Sequence, residues 1–249
     1  MKFRVIPSLL TDQQTVVKGE KFNNWRTVGM AQAVATLFAK RNVDELLFLD
    51  VNASVHQTII PESLVSSFSE LLDIPFAIGG GIDSVEKASH YLRSGAEKIV
   101  LGTAAIENPG LISELARIFG SQAVVVSIDI VDFDENKVAS HSGKKLHTQN
   151  IPDLAKKIQQ LGAGELVIQS IPHDGMLKGM NWLAIEQIAK KVEIPIIASS
   201  GASSPQDFLR AFELGASGVA AGALFQFTEN TPQSIGDFLR ESGVPTRTV

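Results

Sequence analysis

The chain has 249 residues, 22 basic and 27 acidic side chains for a formal charge of −5, 44% hydrophobic and 20% charged residues, and no cysteine. The acidic balance lacks the basic footprint that nucleic-acid binding needs. The lack of cysteine excludes disulfides, thiolate catalysis and cysteine-ligated metals, and the apolar content argues against disorder.

The segment Met1–Leu10 carries charges but no apolar stretch of signal-peptide type. The longest apolar stretches, such as Ala123–Val126, fall far short of the roughly 20 residues that span a bilayer. The protein is therefore read as soluble and cytoplasmic, without membrane contact. In chain order, the apolar run Phe3–Leu9 precedes a helix-period segment at Ala31–Arg41, and Glu45–Val51 precedes Pro61–Leu72. Pro75–Ile78 leads to Ser84–Ser94, Glu97–Leu101 to Pro109–Phe119, and Ala123–Ile130 to Ile151–Leu161. Glu165–Ile171 leads to Trp182–Lys191, Pro195–Ala198 to Ser204–Leu214, and Gly218–Ala221 to Ser234–Ser242. Short, β-branched runs of nearly continuous apolarity are what parallel strands buried on both faces look like. Eight of them in strict alternation with eight helices predict an α/β fold, the (β/α)8 TIM barrel.

An internal repeat supports this reading. Ile74-Pro75 with Gly80-Gly81 matches Ile194-Pro195 with Ser200-Gly201; Gly95-Ala96 matches Gly215-Ala216, Gly102 matches Gly222, and Glu45-Leu46 matches Glu165-Leu166. Each pair is offset by 120 positions. The expectation is a single domain over 1–249 made of two fused half-barrels, about 1–122 and 123–249.

Barrel enzymes place their chemistry in the loops after the strands. Four of these loops carry glycine: Gly79-Gly80-Gly81, Gly102-Thr103, Ser199-Ser200-Gly201 and Gly222-Ala223. Each alone reads as a turn. Four in two matching pairs point to two anion sites, because glycine lets backbone N–H groups approach a phosphate. Sites on opposite sides of one mouth would suit an elongated small molecule phosphorylated at both ends. Acid–base candidates end strands: Asp129 after the fifth, Asp50 after the second, Asp174 after the sixth. Asp50 reads equally well as a loop brace, and Asp174-Gly175 as a turn. His56, His90, His141, His147 and His173 show no ligand spacing, so no metal site is expected. At the strand starts stand Arg4, Glu45, Lys98 and Glu165, alternating in sign. They would be either solvated rim charges or an ion-pair ring on the barrel floor.

Val5-Ile6-Pro7-Ser8-Leu9, Val16-Val17-Lys18-Gly19, Asp44 to Asp50, Gly79-Gly80-Gly81-Ile82, Thr103 to Pro109 and Gly162-Ala163-Gly164-Glu165 resemble the cyclase subunit family of imidazole glycerol phosphate synthase, HisF. The resemblance runs over essentially the whole chain. It implies a duplicated half-barrel of the ribulose-phosphate-binding type, a lyase activity in histidine biosynthesis that needs no cofactor, and a heterodimer with a HisH-type glutaminase docked on the barrel floor. Ammonia would pass through the barrel to a bisphosphorylated substrate at the top. It also implies that Arg4, Glu45, Lys98 and Glu165 form the ammonia gate and that Asp129 is a catalytic acid or base. Substrate and phosphate would be held by Lys18, on a loop over the substrate, with Asp50, Gly80, Gly81, Gly102, Thr103, Asp174, Gly175, Gly201, Gly222 and Ala223.

The chain departs from the family pattern at the mouth. The family's other catalytic aspartate falls on Leu10, with Asp12 two residues on as a weak substitute. Gly102 stands for asparagine, Pro172 for aspartate, Met176 for threonine, Ser200 for glycine, Gly222-Ala223 for Ala-Ser and Ser8 for cysteine. With Leu9-Leu10, Lys21-Phe22 and Val28-Gly29, these departures resemble the family's second-copy paralogues, which imply supply of ammonia in surface-sugar biosynthesis.

Overall fold

Eight parallel strands close on themselves in the computed structural model, which describes residues 2–41 and 43–247. Among the described residues, twelve strands occur in chain order: β1 (Arg4–Asp12), β2 (Thr15–Glu20), β3 (Asn23–Met30), β4 (Leu46–Asp50), β5 (Phe76–Gly79) and β6 (Lys98–Leu101), then β7 (Val124–Asp132), β8 (Lys137–Ser140), β9 (Lys145–Thr148), β10 (Glu165–Ser170), β11 (Ile196–Ser199) and β12 (Gly218–Ala221). The barrel runs β1-β4-β5-β6-β7-β10-β11-β12 and returns to β1, every neighbouring pair parallel. The long helices follow the expected segments, from Ala31–Ala39 to Pro232–Glu241. The fold is thus the expected (β/α)8 barrel.

The continuous apolarity of the runs has a direct cause. Side chains alternate between the two faces of a strand, and both faces here are covered. Outward residues such as Leu9, Phe48, Ile78 and Val126 pack under the helices in the main core, where Phe48 stacks on Phe68 with ring centroids 4.2 Å apart. Inward residues Ile6, Leu47, Ala77, Val100, Val125, Val167, Ile197 and Ala220 form a separate apolar layer across the lumen.

Two hairpins add what the apolar runs do not predict. β2 and β3 are antiparallel on β1, and β8 and β9 are antiparallel on β7. Lys18 therefore sits on a paired strand, not on a loop. Each hairpin follows a barrel strand, and their tips meet above the mouth. The Lys21 N–H donates to the Asp174 carbonyl at 2.9 Å, the Ser142 hydroxyl donates to the Val51 carbonyl, and a Cβ on Gly143 would touch Ile171 and Phe22.

Candidate active site

The period of two that builds the lumen also sorts its chemistry into layers. Arg4, Ile6, Ser8 and Leu10 share one face of β1; Val125, Ser127 and Asp129 share one face of β7; Glu165, Val167 and Gln169 share one face of β10. Charges lie at the floor, the apolar layer lies above them, and polar groups line the mouth.

At the floor, Arg4 donates to Glu45 Oε2 at 2.7 Å and to Glu165 Oε2 at 2.6 Å. Lys98 Nζ reaches Glu45 Oε1 at 2.8 Å and Glu165 Oε2 at 3.4 Å. The four side chains are between 6% and 19% exposed, so they form a closed ring and not a solvated rim. Burial works against the Arg4 charge, but the Glu165 and Glu45 carboxylates outweigh it and its pKa is raised.

At the mouth, Asp129 is partly buried and faces the larger cavity. Its Oδ1 accepts from Ser127 Oγ at 3.0 Å and from Gln169 Nε2 at 3.2 Å. Burial raises its pKa to about 6, against these two hydrogen bonds and with a small push from Asp174. Sequence reasoning passed over Ser127 and Gln169. Ser127 shares the face of Asp129 two residues before it, and Gln169 lies directly across from Asp129 in the strand register. Leu10 faces the same space and joins Val17 and Val51 in a small apolar cluster, with Trp25 and Leu49 against it. Asp12 ends β1 and does not line the mouth cavities.

The predicted residues divide between two chambers. A cavity of about 420 Å3 takes in Asp129, Asp50, Gly80, Gly81, Gly102 and Thr103, together with Leu10, Trp25 and His141. A small pocket of about 20 Å3 takes in Lys18, Asp174, Gly175, Gly201, Gly222 and Ala223. In the larger chamber the Asp50 carboxylate accepts from the backbone N–H groups of Gln13, Asn52 and Ala53 at 2.9–3.0 Å. It therefore braces its loop, with burial still pushing its carboxyl up. In the smaller one, Lys18 Nζ lies where a Cβ on Gly222 would come within 2.0 Å of it. Burial lowers the Lys18 ammonium, against the pull of Asp174. It raises Asp174, whose Oδ2 has no hydrogen-bond partner, as is also true of the Ser200 hydroxyl. Among the described residues no three of His, Asp and Glu gather as metal ligands would. No helix among them is long and apolar enough to cross a membrane.

An (β/α)8 barrel with a glycine-lined mouth, a partly buried carboxyl and a charged floor has the layout of a barrel enzyme. Residues 4–231 match the family model described as histidine biosynthesis protein. The imidazole glycerol phosphate synthase subunit HisF of Thermococcus onnurineus is 38% identical over 245 residues, covering 98% of this chain and 97% of that protein. The subunit of the same name from Pyrococcus furiosus is 38% identical over 247 residues, 98% of each chain. That from Flavobacterium johnsoniae is 37% identical over 246 residues, again 98% of each. The chain belongs to the HisF family of histidine biosynthesis proteins.

Proposed function

We propose that this protein is the cyclase-type subunit of a glutamine amidotransferase pair. A HisH-type glutaminase would dock on the barrel floor as the other half of a heterodimer, and its ammonia would pass the ring of Arg4, Glu45, Lys98 and Glu165. It would then cross the apolar lumen to a phosphorylated small molecule held in the mouth, in the cytoplasm and without a metal or other cofactor. The observation that carries this reading is the ring. Four charges in the floor of an apolar barrel carry a desolvation cost, and an entrance that must part to admit a small neutral molecule gives that cost a purpose.

Asp129 is the group suited to move protons. A carboxyl that titrates near 6 can both take and return a proton near neutral pH, removing one from nitrogen as ammonia adds to a carbonyl carbon. Lys18 and the loops at Gly80-Gly81, Gly102-Thr103, Gly201 and Gly222-Ala223 would hold the phosphates, with Asp174-Gly175 closing the far wall and Asp50 bracing the near one. The 120-residue offset of these loops supports a domain of two fused half-barrels.

The apolar cluster around Leu10 favours the paralogue role, ammonia supply in surface-sugar biosynthesis. The partly buried Asp129 favours the second reading, an active cyclase/lyase of histidine biosynthesis. The experiment is turnover of the bisphosphorylated cyclase substrate with ammonium salt, with glutamine plus a HisH-type glutaminase in parallel. Little or no product from the parent chain, raised tenfold or more by Leu10→Asp, is the outcome expected of the paralogue. Full turnover by the parent chain establishes the active cyclase. Failure to bind both the glutaminase and the substrate sinks both readings.

A further inference from the structure

The two sides of the mouth differ in charge. Beside Gly222 a lysine is built in, Lys18, with Asp174 in the same pocket. The larger chamber is lined by Asp50, Asp83, Glu107 and Asp129, and no lysine or arginine is among the described residues that line it. It is nevertheless open at its glycine cradle, where a Cβ on Gly102 would meet nothing within 4 Å. Three of its four carboxylates are already committed. Asp50 holds three backbone N–H groups, Glu107 pairs with Lys145 Nζ at 2.7 Å, and Asp83 pairs at 2.7 Å with Lys87 Nζ, which is also spent on the Gly81 carbonyl at 3.2 Å and does not line the chamber. The one lining side chain that can turn cationic is His141.

The hairpin fixes His141 with unusual care. Its backbone is left-handed, with φ of 52°, a conformation a non-glycine residue keeps only where its surroundings hold it. Its N–H donates to the Thr103 hydroxyl at 2.8 Å, which ties it to the cradle. The ring nitrogen Nδ1 lies 3.1 Å from Ser140 Oγ and 3.7 Å from Glu107 Oε1, which leaves Nε2 for a ligand. The charged and titratable groups around it are Glu107, Lys145, which pairs with the same Glu107 oxygen that faces His141, and His147, whose Nε2 shares the Ser140 hydroxyl at 2.9 Å.

We propose that His141 supplies the positive charge for a phosphate group bound at Gly81, Gly102 and Thr103, so that this side of the mouth takes an anionic ester through a protonated imidazole. The proposal rests on reading the mouth as a phosphate-ester site. It makes His141 the residue that selects for an anion on the side where every other charged lining group is an acid.

Inorganic sulfate is the probe, because it stays a dianion across the histidine range and only the protein titrates. Histidine ring and backbone amide signals of the full chain are followed by NMR with and without sulfate, His141 being assigned by its loss in His141→Gln. Sulfate is expected to move the His141 titration curve to higher pH and leave those of His56 and His90 in place. By linkage its affinity should be about tenfold tighter near pH 6 than near pH 8. His141→Gln should flatten that dependence, and His147→Gln, which removes the other ring from Ser140, should keep it. The proposal is overturned if sulfate perturbs Gly81, Gly102 and Thr103 equally at both pH values, or if it binds only beside Lys18 and Gly222. Binding on neither side removes the phosphate reading as well.

Discussion

Asp129 links protonation to stability at a single carboxyl. Folded, it titrates near 6, against an ordinary value of 3.8. The native state therefore keeps a proton that the unfolded chain gives up between those values, and stability falls as pH rises through that window. The full difference is about 3 kcal/mol. Asp129→Asn keeps an oxygen acceptor for Ser127 and Gln169 and removes the ionisation. Urea unfolding should show the variant more stable than the parent by up to about 3 kcal/mol near pH 8 and equal to it near pH 4, while the turnover expected of the Leu10→Asp chain is lost when Asp129→Asn is added. Equal stability of the two proteins at pH 8 would mean that the carboxyl is not desolvated as described.

Between elements, the repeat and the packing give different answers. Gly102 and Gly222 stand 120 positions apart and each precedes a short helix, Thr103–Glu107 and Ala223–Phe227. A Cβ on Gly102 meets open space, whereas one on Gly222 would lie 2.0 Å from Lys18 Nζ and 2.7 Å from the Ser8 carbonyl oxygen. Lysine can swing away, but the Ser8 backbone cannot. Gly222→Ala should thus cost about 1–3 kcal/mol by denaturant unfolding, and Gly102→Ala should stay within about 0.5–1 kcal/mol of the parent. Equal costs would contradict the asymmetry of the two chambers.

The barrel was legible because buried strands leave unbroken apolar runs, and Gly218–Ala221 was expected at the bounds it has. The hairpins were not, because their inner strands are short and carry few apolar residues, and their outer strands, Asn23–Met30 and Lys145–Thr148, are exposed and polar. Asn23–Met30 is mostly exposed along its length, and the β2–β3 turn puts Lys21 and Phe22, not glycine, at positive φ. The other turn did carry a signal, Ser142-Gly143. The final helix begins at Pro232, two residues before the expected Ser234, because Thr231 caps it and Pro232 takes the first turn. At the site, the position of Asp129 could be read from its place at a strand end. The brace at Asp50, the retraction of Lys18 and the approach of His141 depend on contacts between residues distant in the chain.

For the whole molecule, the floor ring ties β1, β6, β10 and the start of β4 together below the lumen. Its members touch one another directly, so removing one leaves the others buried and short of a partner. Glu45→Ala should destabilise the protein by about 3 kcal/mol in thermal or urea unfolding. Glu186→Ala, which breaks the exposed pair with Lys190, should cost no more than about 0.5 kcal/mol. A matching small loss for Glu45→Ala would reduce the ring to surface decoration. With the proposed HisH-type glutaminase bound, adding Glu45→Ala to the Leu10→Asp chain should lower glutamine-dependent turnover more than turnover with ammonium salt.

The barrel is fastened above its axis as well as below it. The hairpin that follows β7 reaches over the opening to the end of β4, where the Ser142 hydroxyl donates to the Val51 carbonyl, and Gly143 lies near Phe22 of the other hairpin and Ile171 after β10. A change confined to these contacts would be expected to alter how freely the mouth is reached while leaving Asp129 and the glycine loops in place.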